Sequence, residues 1–313
     1  MKNIQNKTLV IITALSAGVT FAGDFPNQEF SVSDFSPAQR HKRSAGTSAQ
    51  VLSSQDNKTL TDKASSSETE LKSSIESIEV LGQYNALDYI YSGLSLKLEQ
   101  AESTVTQSAS ETESTRKDYS LNPFVGIKLN KNMTAAYELA YQKQETDGES
   151  DDFIGQHVLG FIYHNEAIEV GTAYRNKVDR EGYKIPGNVI IHGQTIISDG
   201  FWLGAAIKQN FNNQVNDSLN DSTELKIYSH YKYSHKWDFD GAVAYQPSAL
   251  KSDSISIGED ASQIEFQAGA YYSPQENIQV GAGVGMTQTE DSNDLSDVDG
   301  TSTEMKVMMK VSL

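Results

Sequence analysis

Between Ile278 and Met286 every second residue is apolar, and the residues between are only Gln or Gly: Ile278, Val280, Ala282, Val284 and Met286 alternate with Gln279, Gly281, Gly283 and Gly285. A side-chain period of two belongs to a strand with two unlike faces. The pattern recurs upstream, where Ile264, Phe266, Ala268, Ala270 and Tyr272 oppose Gln263, Glu265, Gln267, Gly269 and Tyr271. It also recurs at the end of the chain, where Met305, Val307, Met309, Val311 and Leu313 oppose Glu304, Lys306, Lys310 and Ser312. From Tyr89 onward the chain divides into such segments, and they predict twelve strands: 89–100, 119–130, 133–144, 153–164, 167–178, 188–197, 201–211, 223–234, 237–248, 262–273, 278–289 and 302–313.

The breaks between segments alternate in length. Tight ones are Asn130-Lys-Asn132, His164-Asn-Glu166, Ser198-Asp-Gly200, Ser234-His-Lys236 and Pro274-Gln-Glu-Asn277, all rich in turn formers. Long ones cover 101–118, 145–152, 179–187, 212–222, 249–261 and 290–301, and together hold 21 Asp or Glu against 5 Lys or Arg. Nearly all of the chain's formal charge of -17 is therefore expected on one rim. Such a charge excludes a nucleic-acid partner, because neutralising phosphates needs a basic surface.

The N-terminal part differs in texture. Lys2 and Lys7 precede an apolar run from about Leu9 that ends in small residues at Ala22, the form of an export leader over 1–22. No Cys is present, which excludes disulfides and lipid attachment through a thioether. Residues 23–85 are rich in Ser, Gln, Lys, Glu and Asp and predict a polar periplasmic extension, disordered or partly helical; Leu60, Ala64, Leu71, Ile75 and Ile78 fall at helix-like spacings. The barrel domain is then expected over 86–313.

No later stretch approaches 18 apolar residues, so a membrane crossing requires a closed barrel, the other architecture that pairs every backbone group in hydrocarbon. The polar face supports this reading. It gathers Lys97, Lys128, Glu138, Glu169, Arg175, Lys208, Glu224, Lys226, Lys232, Asp238, Asp240, Glu265, Glu304, Lys306 and Lys310, too many charges for a dry core, and so predicts a wet lumen lined by a balanced mixture of signs. Tyr141, Phe211, Tyr233, Trp237, Tyr245 and Tyr272 stand near strand ends on the apolar face, where interfacial aromatic girdles form.

With its leader, alternating strands and closing strand from Met305 to Leu313, the chain resembles a Gram-negative outer-membrane β-barrel protein of the porin-like group. The resemblance implies an all-β, transmembrane, antiparallel up-and-down barrel and localisation in the outer membrane. It also implies that Met305, Val307, Met309, Val311 and Leu313 form the assembly signal read by the barrel-assembly machinery, though family members usually end in Phe or Trp where Leu313 stands. The last strand is expected to close the ring against the strand from Tyr89. Expected partners are outer-membrane lipid, lipopolysaccharide and small solutes.

Catalytic signals are weak. His157 is expected to point inward beside Asp151 and Asp152, and His192 to sit mid-strand, but neither belongs to a local motif; His164 and His235 fall in short turns. The loop Asp291–Gly300 lacks the spacing of a calcium loop. Glycines 281, 283 and 285 lie inside a strand and make space in the lumen rather than a phosphate cradle. The sequence predicts a passive channel for small solutes or a structural barrel, not an enzyme, and implies no cofactor or metal. The alternatives are a rim-located hydrolase of protease or lipase type and a surface adhesin or receptor acting through the acidic loops.

Overall fold

The computed structural model describes residues 48–62, 69–87, 89–107, 110–147, 149–150, 154–165, 167–180, 183–185, 187–211, 223–247, 262–275, 277–290 and 298–312. Fourteen strands form one closed antiparallel sheet. They are β1 (Ser48–Asp62), β2 (Thr69–Leu87), β3 (Ile90–Gln107), β4 (Ser110–Asn130), β5 (Met133–Thr146), β6 (Ile154–His164) and β7 (Ile168–Arg175). The ring continues through β8 (Gly187–Ser198), β9 (Phe201–Phe211), β10 (Thr223–Lys232), β11 (Trp237–Gln246), β12 (Ser262–Gln275), β13 (Ile278–Glu290) and β14 (Val298–Ser312). Each strand pairs with its sequence neighbours, and β14 returns to β1, with Ser48 opposite Ser312 and Asp62 opposite Val298.

Twelve of these strands fall on the predicted segments, β3 running seven residues further and β4 starting nine residues earlier than expected, but the expected strand number of about twelve is too low. The two additional strands, β1 and β2, lie inside the segment assigned to a polar extension. Leu71, Ile75 and Ile78 belong to the 19-residue strand β2 and not to a helix. The segment misled because polar residues stand on both faces: Ser77 and Gln83 are buried beside Leu81, while Ser74, Glu76 and Tyr84 share the opposite parity with Ile78 and Val80. The closing partner changes with it, since β14 pairs with β1 and not with the strand from Tyr89. Residues 1–47, with the leader and the start of that segment, lie outside the described residues.

The short turns carry their own hydrogen-bond acceptors. Asn130 Oδ1 accepts from the Asn132 amide at 2.8 Å, and Asn165 Oδ1 accepts from the amides of Ala167 and Ile168 at 2.9 and 2.8 Å. Ser234 Oγ accepts from the amides of Lys236 and Trp237 at 3.2 Å. In each case a short polar side chain satisfies amides that the turn removes from the ladder. Gly200 has φ +74°, the left-handed conformation that a two-residue Asp-Gly turn requires. At the opposite end, the predicted break 101–118 is mostly strand, because β3 runs to Gln107 and β4 starts at Ser110.

Side chains divide between two faces. Outside, apolar residues stand exposed, with Ile227 at 62% and Val307 at 61%, as expected for a surface that meets lipid. Aromatic rings cluster at the short-turn end of this face: Trp237 packs on Tyr272 with centroids 4.9 Å apart, and Phe201 meets Tyr231 edge-on. Tyr174 stacks on Phe211 near the other end.

Inside, glycines face rings on the neighbouring strand. Gly281 is paired with Tyr271, Gly126 with Tyr91, Gly204 with Tyr228, Gly93 with Phe124 and Gly171 with His192. An added Cβ at any of these would lie 1.8 to 2.3 Å from the ring. The lumenal glycines therefore give up space to a cross-strand ring that lies flat against the wall.

Candidate lumenal site

Inward positions of β10 to β14 and β1 line a cavity of about 210 Å³. Its wall carries the carboxylates of Asp56, Glu224, Glu265 and Glu304, the amides of Gln246 and Gln263, and the hydroxyls of Thr287 and Ser302; Ala244 and Gly285 complete it. The register explains the gathering, because Glu265 lies opposite Ala244 and Thr287, and Glu304 lies opposite Gly285 and Asp56.

Polar contacts hold these groups in place. Ser302 donates to Asp56, Lys306 pairs with Glu304 at 2.9 Å, and Lys208 pairs with Glu224 at 3.4 Å. Lys226 Nζ donates to Gln267 Oε1 at 3.2 Å, and Gln267 in turn donates to Glu265. The bonds from Ser302, Lys208 and Lys226 link adjacent or nearby strands, whereas Lys306–Glu304 and Gln267–Glu265 each run along one strand.

A second polar cluster lies on the same wall towards the short turns. His230 Nδ1 bonds Asp240 directly across the β10–β11 pair, while His230 Nε2 lies 3.8 Å from Asp238 Oδ1. Gln279 donates to Asp238 Oδ2 at 3.3 Å, and the Trp202 ring tilts over His230 at 5.3 Å. All three members of this triad are nine-tenths buried.

The predicted polar residues fall into groups. Glu224, Glu265 and Glu304 line the cavity, with Lys208, Lys226 and Lys306 around it. Asp238 and Asp240 join His230, while Lys310 is buried opposite Gln279 and Gln50. Other members lie on different strands: Lys97 pairs with Glu99 at 2.8 Å, Glu169 accepts from Gln194 at 3.2 Å, Glu138 is buried opposite Phe124 and Val158, and Arg175 lies opposite Val158. Lys128 and Lys232 are exposed near the short turns. Of the terminal stripe, Met305 and Val307 are exposed, Met309 and Val311 are half-buried, and Leu313 lies outside the described residues.

Sequence reasoning missed Asp56, Gln246, Gln263, Gln267, Thr287, Ser302 and His230 as members of these clusters. Asp56 was hidden in the presumed extension; the others share the inward parity of predicted residues, which was the available signal. The expectation for His157 is corrected. Its parity opposes that of the buried Gln156 and Val158, so it faces outward, exposed, with Nδ1 2.6 Å from the Tyr137 hydroxyl. Its neighbours Asp151 and Asp152 lie outside the described residues, as does most of the loop Asp291–Gly300.

A closed antiparallel ring with an apolar outer belt and a charged, hollow interior defines a transmembrane β-barrel of the Gram-negative outer-membrane type. Among solved structures, a deletion mutant of the monoaromatic hydrocarbon channel TodX superposes with a TM-score of 0.75 at 11% identity, covering 95% of this chain and 97% of that one. A FadL homologue from Pseudomonas aeruginosa gives 0.71 at 11% identity, covering 93% and 96%. The toluene transporter TbuX from Ralstonia pickettii gives 0.67 at 10% identity, covering 90% and 92%. At such identities the likeness establishes the fold. The sequence matches no protein-family model and no curated protein.

Proposed function

We propose that the protein is a passive outer-membrane channel for small solutes. The observation that carries the reading is the cavity of about 210 Å³ inside a closed wall, lined by carboxylates, amides and hydroxyls. A purely structural barrel of this size has no need of a hollow, hydrogen-bonding interior; a permeation path does. The channels named among the fold relatives add support at the level of architecture. A rim-located hydrolase gains nothing from His157, which turns towards the lipid side, or from His192, which lies against Gly171.

In the same reading, lipid and lipopolysaccharide surround the outer belt, and the barrel-assembly machinery receives the β14 stripe. The test is electrical. Full-length protein refolded in detergent and added to a planar bilayer is expected to give discrete current steps; an assembled barrel that passes no ions would refute the channel reading.

A further inference from the structure

The polar cluster towards the short turns contains an unmade hydrogen bond. His230 is 1% exposed and stands between two carboxylates of β11. Its Nδ1 bonds Asp240 directly across the β10–β11 pair. Its Nε2 lies 3.8 Å from Asp238 Oδ1, and neither of these two atoms has a hydrogen-bond partner among the described residues. An ionised carboxylate only accepts, and a neutral imidazole has a single N–H. The Nδ1 bond uses that N–H, which leaves Nε2 with a lone pair aimed at an anion. A second proton on the ring removes the conflict, since both nitrogens then donate and each meets its own carboxylate.

The doubly protonated ring also fits what surrounds it. Asp238 and Asp240 stand two residues apart on one face of β11, both buried, and an imidazolium between them supplies the opposite charge. From β9, Trp202 lies opposite His230 with its ring tilted over the imidazole at 5.3 Å, where an indole face attracts a cation. On β10, Lys232 lies opposite Asp238, and Lys226 is held by Gln267. β12 brings Tyr271 opposite Asp238 and the uncharged Gly269 opposite Asp240. β13 brings Gln279, which donates to Asp238 Oδ2 at 3.3 Å, and β14 brings Lys310 opposite Gln279. The carboxylates of Glu224, Glu265 and Glu304 belong to the cavity further up the wall.

We propose that His230 is a proton-operated clamp on the inner wall. With both ring nitrogens protonated it ties Asp238 to Asp240; with one proton lost, the contact to Asp238 opens. Because Gln279 anchors Asp238 from β13, the closed clamp joins β10, β11 and β13 at the short-turn end. Histidine is the side chain whose charge changes in the neutral range, so the clamp is closed at low pH and released as pH rises. Release also frees the Trp202 ring, which rests on the imidazole.

Trp202 reports the state of the clamp, since the chain has only two Trp and the other, Trp237, packs on Tyr272 on the outer face. Trp237→Phe protein folded in detergent and titrated from about pH 4 to 9 is expected to show one emission step. The acid side should be the dimmer, because a cation then lies against the indole, and acrylamide quenching should rise above the step. In His230→Gln on the same background the step should be lost. Asp238→Asn removes one of the two carboxylates and should lower the proton affinity read from the midpoint about tenfold. Heat-modifiable gel migration shows which variants are folded; should His230→Gln fail to fold, Asp238→Asn carries the test alone. A step that survives in His230→Gln, no step in the Trp237→Phe protein, or a midpoint unmoved in Asp238→Asn overturns the clamp. The readout needs a folded barrel and no current, so a silent bilayer bears on the channel reading alone.

Discussion

Strands β7 to β11 have 8 to 12 residues, whereas β1 to β4 have 15 to 21. Both sets cross the same membrane, for which about 9 to 11 tilted residues suffice. The short strands are apolar outside almost end to end, as in Val170, Ile191, Ile207 and Ile227. The long ones have a brief apolar stretch, such as Leu94, Leu96 and Leu98 on β3, and continue outward as Gln100, Glu102, Thr104 and Thr106. Hydrophobic alternation thus reports where a strand meets hydrocarbon, not how far the strand extends.

The largest effect expected from this comparison comes from removing the polar strands. Deleting residues 48–87 should abolish the heat-modifiable species, because β14 then loses its partner and the ring stays open. Retention of a folded barrel would mean that these strands are the appendage their composition suggests.

Next in size, Ile227→Arg on the short side should cost about 2 to 4 kcal/mol in urea titrations of the barrel in lipid vesicles. The opposing substitution, Glu113→Lys on the outer face of β4, should change stability by less than about 0.5 kcal/mol. Equal costs at the two positions would show that β4 lies in the bilayer over its whole length.

The smallest differences concern glycine on the two faces. Gly126→Ala forces the Tyr91 ring from the wall, since a Cβ there would lie 1.8 Å from it, and should cost about 1 to 3 kcal/mol. Gly82→Ala, with nothing within 4 Å, should be neutral or slightly stabilising by the same titration. Similar values for both would remove the cross-strand ring packing as the reason for lumenal glycine.

Much of the wall was legible in the sequence because lipid imposes a two-residue period on every strand it touches. That period located β3 to β14 and the inward parity of Glu224, Glu265 and Glu304. β1 escaped because the residues sharing the outward parity of its centre, Ser53 and Gln55, are polar although they neighbour Val307 and Met305. His230 escaped for a different reason. It meets Asp240 only through the β10–β11 register, and no spacing within one segment encodes a cross-strand pair. His157 was misplaced by its distance in sequence from two acidic residues, whereas one step of parity decides its face.

The seam between β1 and β14 has a consequence for how the chain reaches this state. Every other strand pair joins sequence neighbours and can zip from a turn, but the bond from Ser302 to Asp56 spans 246 positions. Joining the ends early would restrict a chain of that length for few contacts, so the seam is expected to close last. Until then two unpaired edges face solvent or lipid, and half-made rings have no stable resting point. The ring therefore forms as a whole or not at all, and the strands with the least hydrophobic signature are the ones on which its completion depends.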